Sequence, residues 1–133
     1  MKGSNFEKMA ALAIETFDFD DGLGKVPAHV HPNGDGWVAD SAVVEDTAYV
    51  GIDARVSGHA KVLEYAHVTD SAHIRGMAVV EGHAVVGGDS EIYGQAVIGG
   101  HALVEGNALV GGDAEIGGDA IINSGKILDG FYE

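Results

Sequence analysis

The residues best suited to chemistry in this chain are histidines. There are seven: His29, His31, His59, His67, His73, His83 and His101. His83 and His101 lie eighteen residues apart, Tyr65 precedes His83 by the same interval, and Asp119 follows His101 by it. A neutral imidazole beside a carboxylate can take a proton from a hydroxyl or amine and be stabilised as the cation it becomes. His83, His101 and Asp119 are therefore the candidate catalytic groups, provided that a spacing of eighteen brings residues together. The competing reading is an exposed polar column, since the equivalent positions elsewhere hold Ser41, Thr47, Gln95 and Asn107. Between residues 37 and 120 the cations are Arg55, Lys61 and Arg75, few for holding a polyphosphate; with Tyr65 they are the candidate ligand-binding residues. His29 and His31 could face one metal from an extended segment, but two nitrogens fall short of the three that an open zinc site uses, and no metal is expected. Asp18, Asp20, Asp21 and Gly22 are too short a set for a twelve-residue calcium loop.

The spacing matters because the chain keeps a six-residue ruler. From Trp37 to Ala120 it divides without insertion into fourteen hexads, WVADSA, VVEDTA, YVGIDA, RVSGHA and so on to EIGGDA. The second position is always Val or Ile, and the sixth is always Ala except at Ser90. A helix cannot hold a phase of six, and a glycine every sixth residue would cost it roughly 1 kcal/mol each. In a strand, alternate side chains share a face, so the sixth residue of one hexad and the second of the next, such as Ala48 and Val50, point inward. The fourth position is Gly from residue 76 onward and Asp at 40, 46 and 70, residue types that tolerate positive φ and so mark corners. Three sides close a triangle of eighteen residues, each strand lying on the one eighteen positions later at about 4.8 Å. The competing reading, a low-complexity Gly/Ala/Val tract, predicts no phase.

Composition limits what such a column can meet. The 133 residues include 21 acidic and 7 basic ones, a formal charge of −14, which opposes nucleic acid and anionic membrane surfaces. Without cysteine there is no disulfide, thiolate metal site or cysteine nucleophile. No apolar run approaches the ~18 residues of a membrane span, so a soluble, cytoplasmic protein is expected.

These hexads resemble the hexapeptide-repeat family, whose unit is an aliphatic residue, a Gly or acidic residue, two variable positions, a small residue and one more. The resemblance covers residues 37–120. It implies a left-handed parallel β-helix, usually trimeric. It also implies an acyltransferase using acyl-CoA or acyl-carrier protein, with a histidine base in a cleft between subunits, often near a loop leaving the coil. The fourteen hexads contain no such loop. Zinc-dependent carbonic anhydrases of the family pair histidines at a five-residue interval and carry an Arg-x-Asp element. Here His67 and His73 are six apart and no Arg-x-Asp occurs.

The elements that must position these residues follow. Ser4 and Glu7 have capping-box spacing, and Phe6, Met9, Ala10, Ala13, Ile14 and Phe17 recur on one helical face, which predicts a helix over about 5–17; a frayed tail is the alternative. Residues 1–36 are then a helix and loop-like lead-in, 37–120 the repeat, and 121–133 a closing segment in which Ile122 and Leu128 keep the aliphatic phase past Lys126. The expected fold is all-β: a left-handed parallel β-helix of about five triangular coils with an N-terminal helix and a C-terminal cap. Outward columns read every eighteen residues are apolar at Tyr49, Val85, Leu103 and Ile121, and at Val79 and Val97. Solvated walls are seldom so apolar, so these six are the expected interface of a homo-oligomer, a trimer by the resemblance, unless the N-terminal helix covers them. Leu63, Tyr65, Ile52, Met77 and Tyr93 put bulk near corners, either as a contact patch or as ordinary surface variation.

Two functions fit: a non-catalytic structural or binding module recognising a partner or small ligand without a required cofactor, or an acetyl-CoA-dependent acyltransferase with His83 or His101 as base.

Overall fold

The computed structural model describes residues 15–133. They form an all-β parallel solenoid of about five turns. Its repeat is set by the alternation of small and branched inward residues: Ala48, Val50, Ala54, Val56, Ala60, Val62 and their successors to Val110 and Ala114 are fully buried in one continuous core. From Trp37 to Leu103 each strand of the repeat pairs with the one eighteen residues on, as Val68 with Val86 and Val86 with Val104. Inter-rung hydrogen bonds run the same way at corners and sides, Lys61 N–H to the Ala78 carbonyl at 2.9 Å and Tyr65 N–H to that of Gly82 at 3.0 Å. The first wall carries Trp37, Arg55, His73, Glu91 and Leu109 outward, the second Val43, Lys61, Val79, Val97 and Glu115, and the third Tyr49, His67, Val85, Leu103 and Ile121.

The N-terminal helix expected over 5–17 is corrected by the structure. No helix occurs among the described residues, and Thr16–Asp18 is a strand, β1; the rest of that expectation, residues 5–14, lies outside them. The local cause is the alternation FDFD. Phe17 and Phe19 turn to one side, half-buried and buried, while Asp18 and Asp20 face water. β1 pairs antiparallel with β2 (Lys25–Val30), which pairs antiparallel with β3 (Trp37–Ala39), the first strand of the first wall. Phe19, Ala28 and Ala39 form a small second core with Phe17, Val26 and Trp37 against it. The loop after β2 covers the lower edge of the third wall: Gly36 N–H donates to the Val50 carbonyl at 2.9 Å, and a side chain at Gly34 or Gly36 would run into that backbone.

The C-terminal segment does not form a separate cap but adds a shortened turn. Ile121–Ile122 pairs with Leu103–Val104, then Lys126 falls opposite Leu109 and Phe131 opposite Glu115, steps of 17 and 16 residues instead of 18. The corners have lost residues, so the inward place goes to Ile127, which packs on the core, and Leu128 is left 47% exposed. Positive φ at corners also departs from expectation. Glu64 and Asp70 adopt it, Asp40 and Asp46 do not.

Candidate functional site

The predicted histidine column exists as geometry. Tyr65, His83 and His101 stand at the corner between the second and third walls, stacked at 5.3 and 5.1 Å with planes 7° apart. The rung spacing produces this directly, because identical corner positions superpose every eighteen residues. Each ring's faces are turned to its neighbours, and the column is exposed on a convex ridge. Asp119 continues the column one rung above His101, but no hydrogen bond or ion pair joins them among the described residues. Lys61 lies on the adjoining second wall. Arg55 and Arg75 lie on the first wall side, away from the ridge, where Arg75 pairs with Glu91 at 3.2 Å and sits 5.0 Å over the Tyr93 ring. The structure thus gathers Tyr65, His83 and His101 and separates the arginines from them.

The bulky corner residues do not form one patch. Ile52, Tyr65 and Met77 are all exposed but fall at three different corners of the triangle, while Tyr93 packs over Gly111. The two histidines before the repeat also part company. His29 pairs with Asp40 at 2.7 Å on the surface, whereas His31 is 2% exposed and its Nε2 donates to the Ala48 carbonyl at 2.8 Å. Among the described residues no three His, Asp or Glu side chains are placed to hold a metal ion.

Another constellation lies on the first wall. Ser57 Oγ and His73 Nε2 are 2.8 Å apart. Burial, with the Arg55 guanidinium adding to it, lowers the pKa of His73 from 6.5 to about 4, so the imidazole is neutral near pH 7. Ser57 is 1% exposed, which leaves its hydroxyl no approach for a substrate; the pair ties two rungs together.

Beside it a cleft of about 480 Å³ opens between the β1–β2 hairpin and the corner joining the third and first walls. Phe17 and Trp37 form one side, their rings stacked at 4.9 Å and 18°. Arg55 enters from the rung above Trp37, held by Asp20 at 3.5 Å. Asp18 contributes from the hairpin, and Ile52, Asp53 and Ser71 from the corner. Of these groups Arg55 is the one that the sequence marks as a binding residue. Two features of the sequence mark Phe17, Asp18, Asp20 and Trp37, the alternation of Phe and Asp at 17–20 and the chain's one tryptophan opening the ruler on an outward position, while no signal joins Asp53 and Ser71 to them.

Comparison with protein-family models, curated proteins and solved structures gives no match to this chain. No helix among the described residues is long and apolar enough to cross a membrane.

Proposed function

We propose that the protein is a non-catalytic structural or binding module of hexapeptide-repeat type, a rigid oligomeric solenoid that recognises a partner or small ligand. The family assignment is supported by the fourteen hexads and the eighteen-residue register they produce. One observation carries the functional reading. The aromatic side chains of the described N-terminal segment pack on the face of the first wall, Phe17 on Trp37 and Phe19 on His73, and the loop after β2 reaches the lower edge of the third wall at Ala48 and Val50. Val79 and Val97 on the second wall, and Val85, Leu103 and Ile121 on the third, form outward apolar strips, which serve as surfaces for a second subunit. A trimer, each copy offering one wall to the next, is the arrangement proposed. Light scattering at micromolar concentration tests it, and a monomer there removes the oligomer.

The second reading, acetyl-CoA-dependent acyl transfer with His83 or His101 as base, is favoured by one feature. The ridge stands between the two apolar walls, where subunits joined through them would enclose it. Thermal shift with acetyl-CoA separates the two readings, because a cofactor that binds the folded state raises its melting temperature. No shift at millimolar acetyl-CoA supports the module; a shift, with activity lost in His83→Ala or His101→Ala, supports transfer.

A further inference from the structure

We propose that the cleft beneath the β1–β2 hairpin binds a neutral pyranose ring, an assignment that rests on the binding-module reading. Its volume, about 480 Å³, is in the range of small-ligand sites. What selects the ligand is the mixture of groups around it. Phe17 and Trp37, stacked on one another at 4.9 Å, line the cleft and give the C–H groups of a sugar ring apolar aromatic surface to pack against. Asp18 and Asp53 can only accept hydrogen bonds, Arg55 can only donate, and Ser71 does both. Sugar hydroxyls are the ligand groups that donate and accept from one atom, so a polyhydroxylated ring can answer all four.

Other classes leave something unanswered. An anion would meet the three carboxylates of Asp18, Asp20 and Asp53 against one guanidinium already paired with Asp20. A cation would satisfy the carboxylates but leave Arg55 facing like charge. An apolar ligand would strip water from these polar groups and replace none of its hydrogen bonds. Arg55 is also pre-oriented by Asp20, which lowers the entropy lost when it binds. Above Ser71 the same corner carries Asp89 and Asn107 on successive rungs, a polar track that a longer glycan could follow from the cleft.

Trp37 is the chain's one tryptophan, so its emission reports on this site. The full chain is titrated with the methyl glycosides of glucose, galactose and mannose, with glucosamine, and with glucose 6-phosphate, by fluorescence and calorimetry. The expected result is saturable binding of at least one neutral glycoside, weakened roughly tenfold in Asp53→Asn, whose melting temperature should be unchanged because this corner side chain is exposed. Arg55→Lys, which keeps the charge and loses the fork, should weaken the same ligand. Binding of glucosamine alone, of the phosphate ester alone, or of none of the probes overturns the assignment, as does glycoside binding unaltered in both variants. An acetyl-CoA arm keeps the two readings apart: no glycoside binding without acetyl-CoA stabilisation overturns the sugar assignment alone, while stabilisation by acetyl-CoA overturns the module reading whatever the glycosides do.

Discussion

Ser57 Oγ and His73 Nε2 meet at 2.8 Å across adjacent rungs of the first wall, with the ring of Phe19 stacked 6.2 Å from the imidazole. The charged groups around the imidazole are Arg55, Arg75, Glu91 and Asp21, and its pKa is lowered to about 4, by burial first and then by Arg55. The unfolded chain, with an ordinary histidine pKa of about 6.5, therefore binds a proton between pH 6.5 and 4 that the folded chain does not. The stabilisation is fully present above pH 6.5 and is lost as pH falls toward 4, by up to about 3 kcal/mol. Urea unfolding of the wild type and of His73→Gln, followed across that window, should show their difference changing with pH. A difference that stays constant from pH 7 to 4 would contradict it.

The lower end of the solenoid makes a second prediction. His31 Nε2 and Asn33 Nδ2 both donate to the Ala48 carbonyl, at 2.8 and 3.0 Å, and His31 is 2% exposed. His31→Ala removes one of these bonds and leaves a cavity under the third wall, a loss of roughly 2–3 kcal/mol. His29→Ala removes an exposed pair with Asp40, where less than about 1 kcal/mol is expected. Chemical denaturation of both variants checks the contrast; equal losses would deny His31 its capping role.

How far the fold is legible in the sequence depends on how local its cause is. Ala48, Val50 and their successors are inward because strand alternation is a property of neighbouring residues, and one rung then dictates the next. The hairpin departs from the helical expectation because two periods compete there: Phe6, Met9, Ala13 and Phe17 repeat at helical intervals, while Phe17 and Phe19 repeat at two. Pairing of Thr16 with Pro27 decides between them, a contact between segments that local spacing does not contain. The ridge of Tyr65, His83 and His101 is legible because it follows from the ruler. The cleft is not, since Phe17, Trp37 and Asp53 come from a hairpin, a strand and a corner that share no motif.

Two glycines give opposite expectations. Gly88 has φ +64, and a Cβ there would sit 2.6 Å from the Gly106 carbonyl oxygen and 2.5 Å from its nitrogen. Gly88→Ala should cost at least about 2 kcal/mol, combining the left-handed backbone penalty with displacement of the next rung. Gly117 lacks a positive φ, and a methyl group added there would meet no atom within 4 Å. Gly117→Ala should be neutral or stabilising by about 0.5 kcal/mol, through the unfolded chain. Melting temperatures of the pair settle whether the corners are as tight as the geometry requires.

The apolar walls are the remaining point of test. Lys61, Val79, Val97 and Glu115 form consecutive rungs of the second wall, so the two valines make an apolar strip bounded by charges of opposite sign. On the third wall Val85, Leu103 and Ile121 continue without a charge, and Ile121 is 64% exposed. A charge placed in either strip points outward and touches no core residue, so it should leave the fold stable while desolvation opposes burial against another copy. Val97→Lys and Leu103→Glu should each lower the mass seen by sedimentation toward that of the 13.7 kDa chain, with circular dichroism unchanged. Loss of the fold in both variants would mean that the walls serve the solenoid itself, and an unchanged assembly would place the interface elsewhere.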